Sequence, residues 1–242
     1  HKMGRDKIRL IRDFTKVEGI SVLISDIDVA WLRDPTPFFA RYPSADILVS
    51  TDLLRSEINL EPNKQSPHLS PDGEGLEFHI CHAASNIGIM WFRSTRGSQQ
   101  LTQEWVKRIE ADDKLWDQNA FNDLMRKGRG KSFPDHSFEG YDGLRFGILP
   151  VATFASGHTF FVQRMYEKKK LEPYVVHATF QFSGTEGKRH RLREFKLWYD
   201  APEYYDPEGG MLMVDLDVPE GLLTAAKETP EKHFDLVNHQ LL

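Results

Sequence analysis

The chain has 242 residues, 40% hydrophobic and 28% charged, values of an ordinary globular α/β domain that exclude a disordered or fibrous protein. A net charge of -5 offers no footprint for a nucleic-acid or anionic-membrane partner. Cys81 is the only cysteine, which excludes an intramolecular disulfide and a cysteine-based metal site, and no apolar stretch is long enough to span a bilayer.

The opening residues His1-Lys2-Met3-Gly4-Arg5 lack an initiating methionine and a signal-peptide pattern, so the sequence is expected to be an internal piece of a longer protein. Ile8, Leu10, Ile11 and Phe14 give residues 4–17 a helical spacing, which Gly19 ends. Val22, Leu23 and Ile24 then predict a buried strand that gives out at Asp26 and Asp28. Pro35 and Pro37 stop it, and residues 37–42 read as a short helix closed by Pro43. A second buried strand, 46–50, ends in Thr51 and Asp52. Residues 53–80 carry Pro62, Pro67, Pro71, Gly73 and Gly75 with few apolar positions, and read as a long irregular loop.

A third strand over 86–92 precedes a helix over 95–112, whose inward face is Leu101, Trp105 and Ile109. A helix over 119–125 ends near Gly128, residues 146–150 and 159–162 read as strands, and 174–177 is a strand ending in His177. Strands alternating with helices predict a single α/β domain over 1–242, with a mostly parallel sheet whose loops line one edge.

Asp26 and Asp28 are spaced so that an extended segment projects both carboxylates to one side. Two hard oxygen donors at the carboxyl edge of a sheet suit Mg²⁺ or Mn²⁺ shared with substrate phosphates, although acids at a strand end can equally be a solvated edge. Asp117 and Gln118 open a helix, where they serve either as a cap or as groups facing a sugar's reacting carbon. Behind Gly184 and Gly187 stands a dense run of positive charge from Lys188 and Arg189 to Arg193. Glycine backbone and lysine or arginine suit a diphosphate, and the alternative is a solvated basic helix face. Asp52, Asn86, Gly88 and His158 are candidates for contacts to a sugar or acceptor, and each could equally be a cap, a turn or a strand end.

Taken in order, Asp26-Ile27-Asp28, Asn86-Ile87-Gly88, Trp116-Asp117-Gln118 and His177 with Gly184 and Lys188 resemble a retaining glycosyltransferase of the GT-A type. More narrowly, the chain resembles glycosyltransferase family 77, in the group of plant and algal arabinosyltransferases that act on hydroxyproline-rich cell-wall glycoproteins such as extensins. The stretches 1–5, 111–114, 116–119, 171–174, 184–194 and 237–240 carry that likeness. The resemblance implies a UDP-sugar donor, a glycoprotein or glycan acceptor, a divalent cation (commonly Mn²⁺) and a Golgi type II membrane protein. It implies Asp26, Asp28 and His177 as metal ligands, Gly184, Gly187, Lys188 and Arg189 at the diphosphate, and Asp117 and Gln118 beside the anomeric carbon. It also implies that the chain begins after the first strand or strands of the GT-A fold.

Two other readings compete. A haloacid-dehalogenase-type phosphatase also carries an Asp-x-Asp after a strand, with Asp112 and Asp113 as a possible second acidic pair. A non-catalytic domain that holds a sugar nucleotide is the other.

Overall fold

A computed structural model describes residues 2–56, 75–77, 85–127 and 130–200 of the chain. Most of the expected 53–80 loop, Cys81, Gly128 and the 237–240 stretch lie outside these residues. One unit spans His1–Leu197 and a second Trp198–Leu242, of which only 198–200 are described.

Helix α1, Lys2–Thr15, buries Ile8, Ile11 and Thr15. This 3-then-4 spacing makes one stripe. It leaves Leu10 and Phe14 half exposed, so the inward stripe is narrower than the apolar pattern suggests. Strand β1, Ser21–Ser25, and strand β2, Val29–Trp31, follow on either side of a turn. Pro37 sits in the first turn of α2, Thr36–Ala40, where its missing N–H has no partner to lose. Strands β3, Ile47–Thr51, and β4, Ser85–Arg93, are buried almost throughout. Thr95 caps α3, Arg96–Ala111, by accepting from Ser98 N. Helix α4 runs Asp117–Lys127, and β5, Phe138–Glu139, and β6, Arg145–Ile148, follow. The remaining elements are β7, Phe154–Ser156, α5, Met165–Lys168, β8, Val175–His177, and α6, Gly184–Glu194.

The strands form a five-stranded sheet, β1-β4-β3-β6-β5, and a three-stranded sheet, β2-β8-β7. The α/β class holds, but the pairing is more mixed than expected. Among the described residues only β3–β6 and β7–β8 are parallel, and the other pairs are antiparallel. Strand β1 shows why. Its residues alternate between exposed and part-buried, so it is an antiparallel edge strand with one wet side and not a buried parallel one.

Strand β4 distributes its side chains by the two-residue period. Met90 and Phe92 enter a core with Ile8, Ile11, Trp105, Phe121 and Phe146, while Ile89 and Trp91 enter another with Phe38, Phe39, Phe154 and Tyr174. In the first, Trp105 and Phe121 pack at 5.0 Å between ring centroids, and burial of such side chains stabilises the fold by about 1.5–3 kcal/mol each. The run over 159–162, expected as a strand, is a π-helical turn, His158–Val162. Its Thr159 hydroxyl bonds back to Ser156 O at 3.1 Å, and Phe160 and Phe161 pack on Phe195. A short apolar run fits a buried helical turn as well as a strand.

Candidate active site

Asp26 and Asp28 lie where the chain leaves the five-stranded sheet and enters the three-stranded one. Asp26 N donates to Gly88 O at 2.8 Å, and Val29, at the start of β2, pairs with His177 at the end of β8. The antiparallel register of β2 and β8 therefore brings His177 to the two aspartates, rather than the row of parallel strand ends that the sequence suggests. His177 Nε2 lies 3.3 Å from Asp28 Oδ1 and 3.8 Å from Asp26 Oδ2. One ligand atom from each residue falls within 4.8 Å of the others. Two carboxylate oxygens and one imidazole nitrogen suit Mn²⁺ or Mg²⁺, so the residues present fit the implied cation.

Two lysines complete the cluster. Lys7 of α1 donates to Asp26 Oδ1 at 2.6 Å and to Ile87 O at 2.8 Å. Lys188 of α6 donates to Asp28 Oδ2 at 2.7 Å. Burial alone would raise the Asp28 carboxyl, but hydrogen bonds and charge from His177 and Lys188 outweigh it and hold that group well below the usual aspartate range.

A polar relay extends from this cluster along β4. The register of β3 against β4 breaks between Val49 and Ser50, so Ser50 pairs with Asn86. Such a bulge re-aims side chains beside a site. Asn86 Oδ1 accepts from Gly88 N at 2.8 Å, and its amide donates to Asp52 Oδ1 at 2.7 Å. Gln118 donates to Asp52 Oδ2 at 3.1 Å and accepts from Ile87 N at 3.3 Å. Asp52, Asn86, Gly88 and Gln118 are thus brought together. Ser50, Asn86, Ser156, His177 and Thr179 close round a gap beside them that is too small to admit a water molecule.

Asp117 is turned differently. Its Oδ1 accepts from Gln118 N at 2.9 Å, and its Oδ2 would stand 2.5 Å from a β-carbon on Gly4, so the carboxylate lies against α1. His158 is exposed at the head of the π-helical turn, and no hydrogen bond joins it to the cluster among the described residues.

The basic segment is helical throughout, starting at Gly184. Gly184 opens α6 with a φ of +58°, in open space. A β-carbon on Gly187 would lie 1.8 Å from Phe182 O, so that glycine admits the chain's own carbonyl. Arg189 pairs with Glu186 at 3.4 Å. Lys188, one turn into α6, presents its full positive charge to Asp28. Around the cluster, Ile27, Phe180 and Phe182 are almost fully exposed.

Sequence reasoning missed Lys7, one of five basic residues in α1. It also missed Asn122, whose amide donates to Ser85 O at 2.9 Å and accepts from Ser85 N at 3.1 Å, fixing α4 to the start of β4. Asn122 stands four residues from Gln118, the spacing that puts both on one helix side. Asp112 and Asp113, the acidic pair a phosphatase would need, are exposed beyond the end of α3.

A family model for nucleotide-diphospho-sugar transferases matches residues 1–192. A protein of Arabidopsis thaliana named arabinosyltransferase XEG113 is 46% identical over 244 aligned residues, covering 100% of this chain and 36% of the relative. Two further proteins of that plant align more distantly. The UDP-D-xylose:L-fucose alpha-1,3-D-xylosyltransferase 3 is 25% identical over 74% of this chain and 43% of its own length. Arabinosyltransferase RRA2 is 24% identical over 81% of this chain and 44% of its own length. The chain therefore spans less than half the length of these relatives.

Proposed function

This chain belongs to the nucleotide-diphospho-sugar transferase family, and from that premise we propose that it forms the donor-binding and catalytic part of a metal-dependent retaining glycosyltransferase. The donor is a UDP-sugar, with L-arabinofuranose as the sugar, and the acceptor is the glycan of a hydroxyproline-rich cell-wall glycoprotein. The observation that carries this reading is the convergence of Asp26, Asp28, His177 and Lys188 from elements far apart in sequence. The arabinosyl assignment is supported by the 46% identity to a protein named an arabinosyltransferase, against 25% for one named a xylosyltransferase.

Asp26, Asp28 and His177 would hold the cation, which when bound neutralises charge on the departing nucleotide diphosphate. Lys188 and the opening turn of α6, Gly184 to Arg189, receive the diphosphate oxygens through charge-assisted hydrogen bonds and the helix dipole. Gln118, held by Asp52 and Ile87 N, presents its amide beside the reacting carbon, where an oriented dipole stabilises developing charge. Asp117 fixes the start of α4 against α1 and, by resemblance, belongs to the same reacting centre. Asp52, Asn86 and Gly88 line the sugar side, with His158 an outlying acceptor candidate. A Golgi location with a membrane anchor follows from the same resemblance. No described helix is long and apolar enough to cross a membrane.

The test is transfer from UDP-L-arabinofuranose to a hydroxyproline-linked arabinoside by the full chain, with Mn²⁺ and then with a chelator. Transfer that stops with the chelator and yields a product of retained anomeric configuration is expected. Faster transfer from UDP-xylose or UDP-galactose would overturn the sugar assignment, and activity indifferent to the chelator would overturn the metal assignment.

A further inference from the structure

The two lysines of the site divide its carboxylates in the same way. Lys7 Nζ takes Asp26 Oδ1 at 2.6 Å, and Lys188 Nζ takes Asp28 Oδ2 at 2.7 Å. The remaining oxygens, Asp26 Oδ2 and Asp28 Oδ1, are the ones that face His177 Nε2. We propose that Lys7, acting through Asp26, determines which cation the site accepts: by occupying Oδ1 it leaves Asp26 a single oxygen to give, and so favours a small six-coordinate ion over calcium. This rests on the metal-dependent reading above and concerns a positioning residue that makes no contact with substrate or metal itself.

The chemistry turns on how many oxygens a carboxylate can offer. Calcium takes six to eight oxygens and commonly draws two from one carboxylate, whereas magnesium demands close to octahedral ligation with about one oxygen from each. A carboxylate with one oxygen already bonded to an ammonium is a poor two-oxygen ligand. Lys7 is also more than a solvated surface partner, whose ion pair would contribute little. Its side chain is only 18% exposed, and the same ammonium donates to Ile87 O at 2.8 Å. It is therefore anchored to β4, the strand that also carries Gly88 and Asn86. Residue 8, its neighbour, is fully buried against the sheet, which fixes the rotation of α1 and with it the direction of Lys7.

Removing Lys7 has two effects that can be separated. Losing a positive charge strengthens the binding of any divalent cation, by the same amount for ions of the same charge. Releasing Asp26 Oδ1 changes only the preference between ions. The ratio of affinities therefore reports the proposed role and is insensitive to the charge.

The experiment measures dissociation constants for Mn²⁺ and for Ca²⁺ by titration calorimetry on the full chain without donor, in wild type, Lys7→Met and Lys7→Arg. Wild type should prefer Mn²⁺. The preference should fall by roughly fivefold or more in Lys7→Met, toward the range typical of outer ligands that orient metal-binding groups. It should be retained in Lys7→Arg, which can still donate to Asp26. A preference unchanged within about twofold in Lys7→Met, or lost equally in Lys7→Arg, overturns the inference. Should Lys7→Met fail to fold, wild type alone still decides: equal affinity for the two ions overturns it. No binding of either ion by wild type would overturn the cation site itself, and this inference with it.

Discussion

A β-carbon added to Gly88 would lie 2.1 Å from Cε1 and 2.5 Å from Nδ1 of His177. The imidazole is seated on bare backbone of β4, and any side chain at position 88 occupies the space the ring needs. Asn86 Oδ1, 2.8 Å from the same point, closes the other direction of escape. Gly88, a sugar-contact candidate from sequence, is in the structure the seat of the ring. Gly88→Ala is expected to displace the ring from Asp28 and weaken Mn²⁺ binding about tenfold or more. Its folding cost should stay within the roughly 1–3 kcal/mol of an overpacked site. Calorimetric titration with Mn²⁺ checks this, and an unchanged affinity would show that the ring can shift without loss.

Asp28→Asn keeps the shape of the side chain and removes its charge. Turnover of the UDP-sugar should be lost, and the melting temperature should fall only modestly, because the amide oxygen can still accept from Lys188 although the charge pairing is forfeited. Asp28→Ala goes further, because the side chain is only 15% exposed and holds Lys188. Leaving that ammonium without Asp28 should destabilise the protein by about 1 kcal/mol, a low value for a partner still reached by water. Donor turnover and scanning calorimetry on the two variants separate the chemical loss from the structural one.

Gln118 and Asp117 are neighbours with different surroundings, so their variants should part company. Gln118→Ala breaks the link to Asp52 and should lower kcat more than it raises KM, the sign of an interaction strongest in the transition state. Asp117→Ala should act first on stability, by about 0.5–2 kcal/mol, as loss of a carboxylate at a helix start does. Steady-state kinetics beside thermal melts give the comparison. A fall in kcat for Asp117→Ala at unchanged melting temperature would put its carboxylate at the reacting carbon instead.

Away from the site, Asp135 gives the fold a measurable acid dependence. Burial raises its carboxyl, but bonds from Ser137 O–H at 2.5 Å and Ser137 N at 3.0 Å and from Arg145 at 2.9 Å outweigh burial and lower it. A carboxyl lowered on folding binds its proton more readily in the unfolded chain. Its contribution is therefore complete above the ordinary aspartate value of 3.8 and is lost as pH falls below it. Asp135→Asn should flatten the acid limb of stability below about pH 4 in urea titrations. An acid limb as steep as in wild type would assign it to other carboxylates.

The three residues that meet at the candidate cation site stand out in the sequence for a local reason: Asp26, Asp28 and His177 each stand at the end of an apolar run, where a polar side chain is conspicuous. How they meet was not legible. Strands β2 and β8 contribute only three residues each to their pairing, too little pattern to announce a partner or its direction. Lys7 was hidden by company, since it is one basic residue among several on an amphipathic helix. Over 184–194 the sequence left a phosphate-suited glycine segment and a basic helix face open. Two glycines each cost a helix about 1 kcal/mol, yet the segment is helical, and Gly187 is required where the preceding turn brings Phe182 O close.

The link between Asp28 and Lys188 spans 160 positions of sequence. Contacts that far apart form only after the entropy of closing a very long loop has been met, and they are slow to appear. During synthesis, Asp26 and Asp28 emerge before β8 and α6, and remain two carboxylates in a turn until those elements arrive to give them His177 and Lys188. If the cluster takes up a cation as proposed, it can do so only once β8 and α6 have joined β2. On the proposed reading, a chain made only as far as β7 carries two of the three candidate ligands and neither α6 nor its lysine.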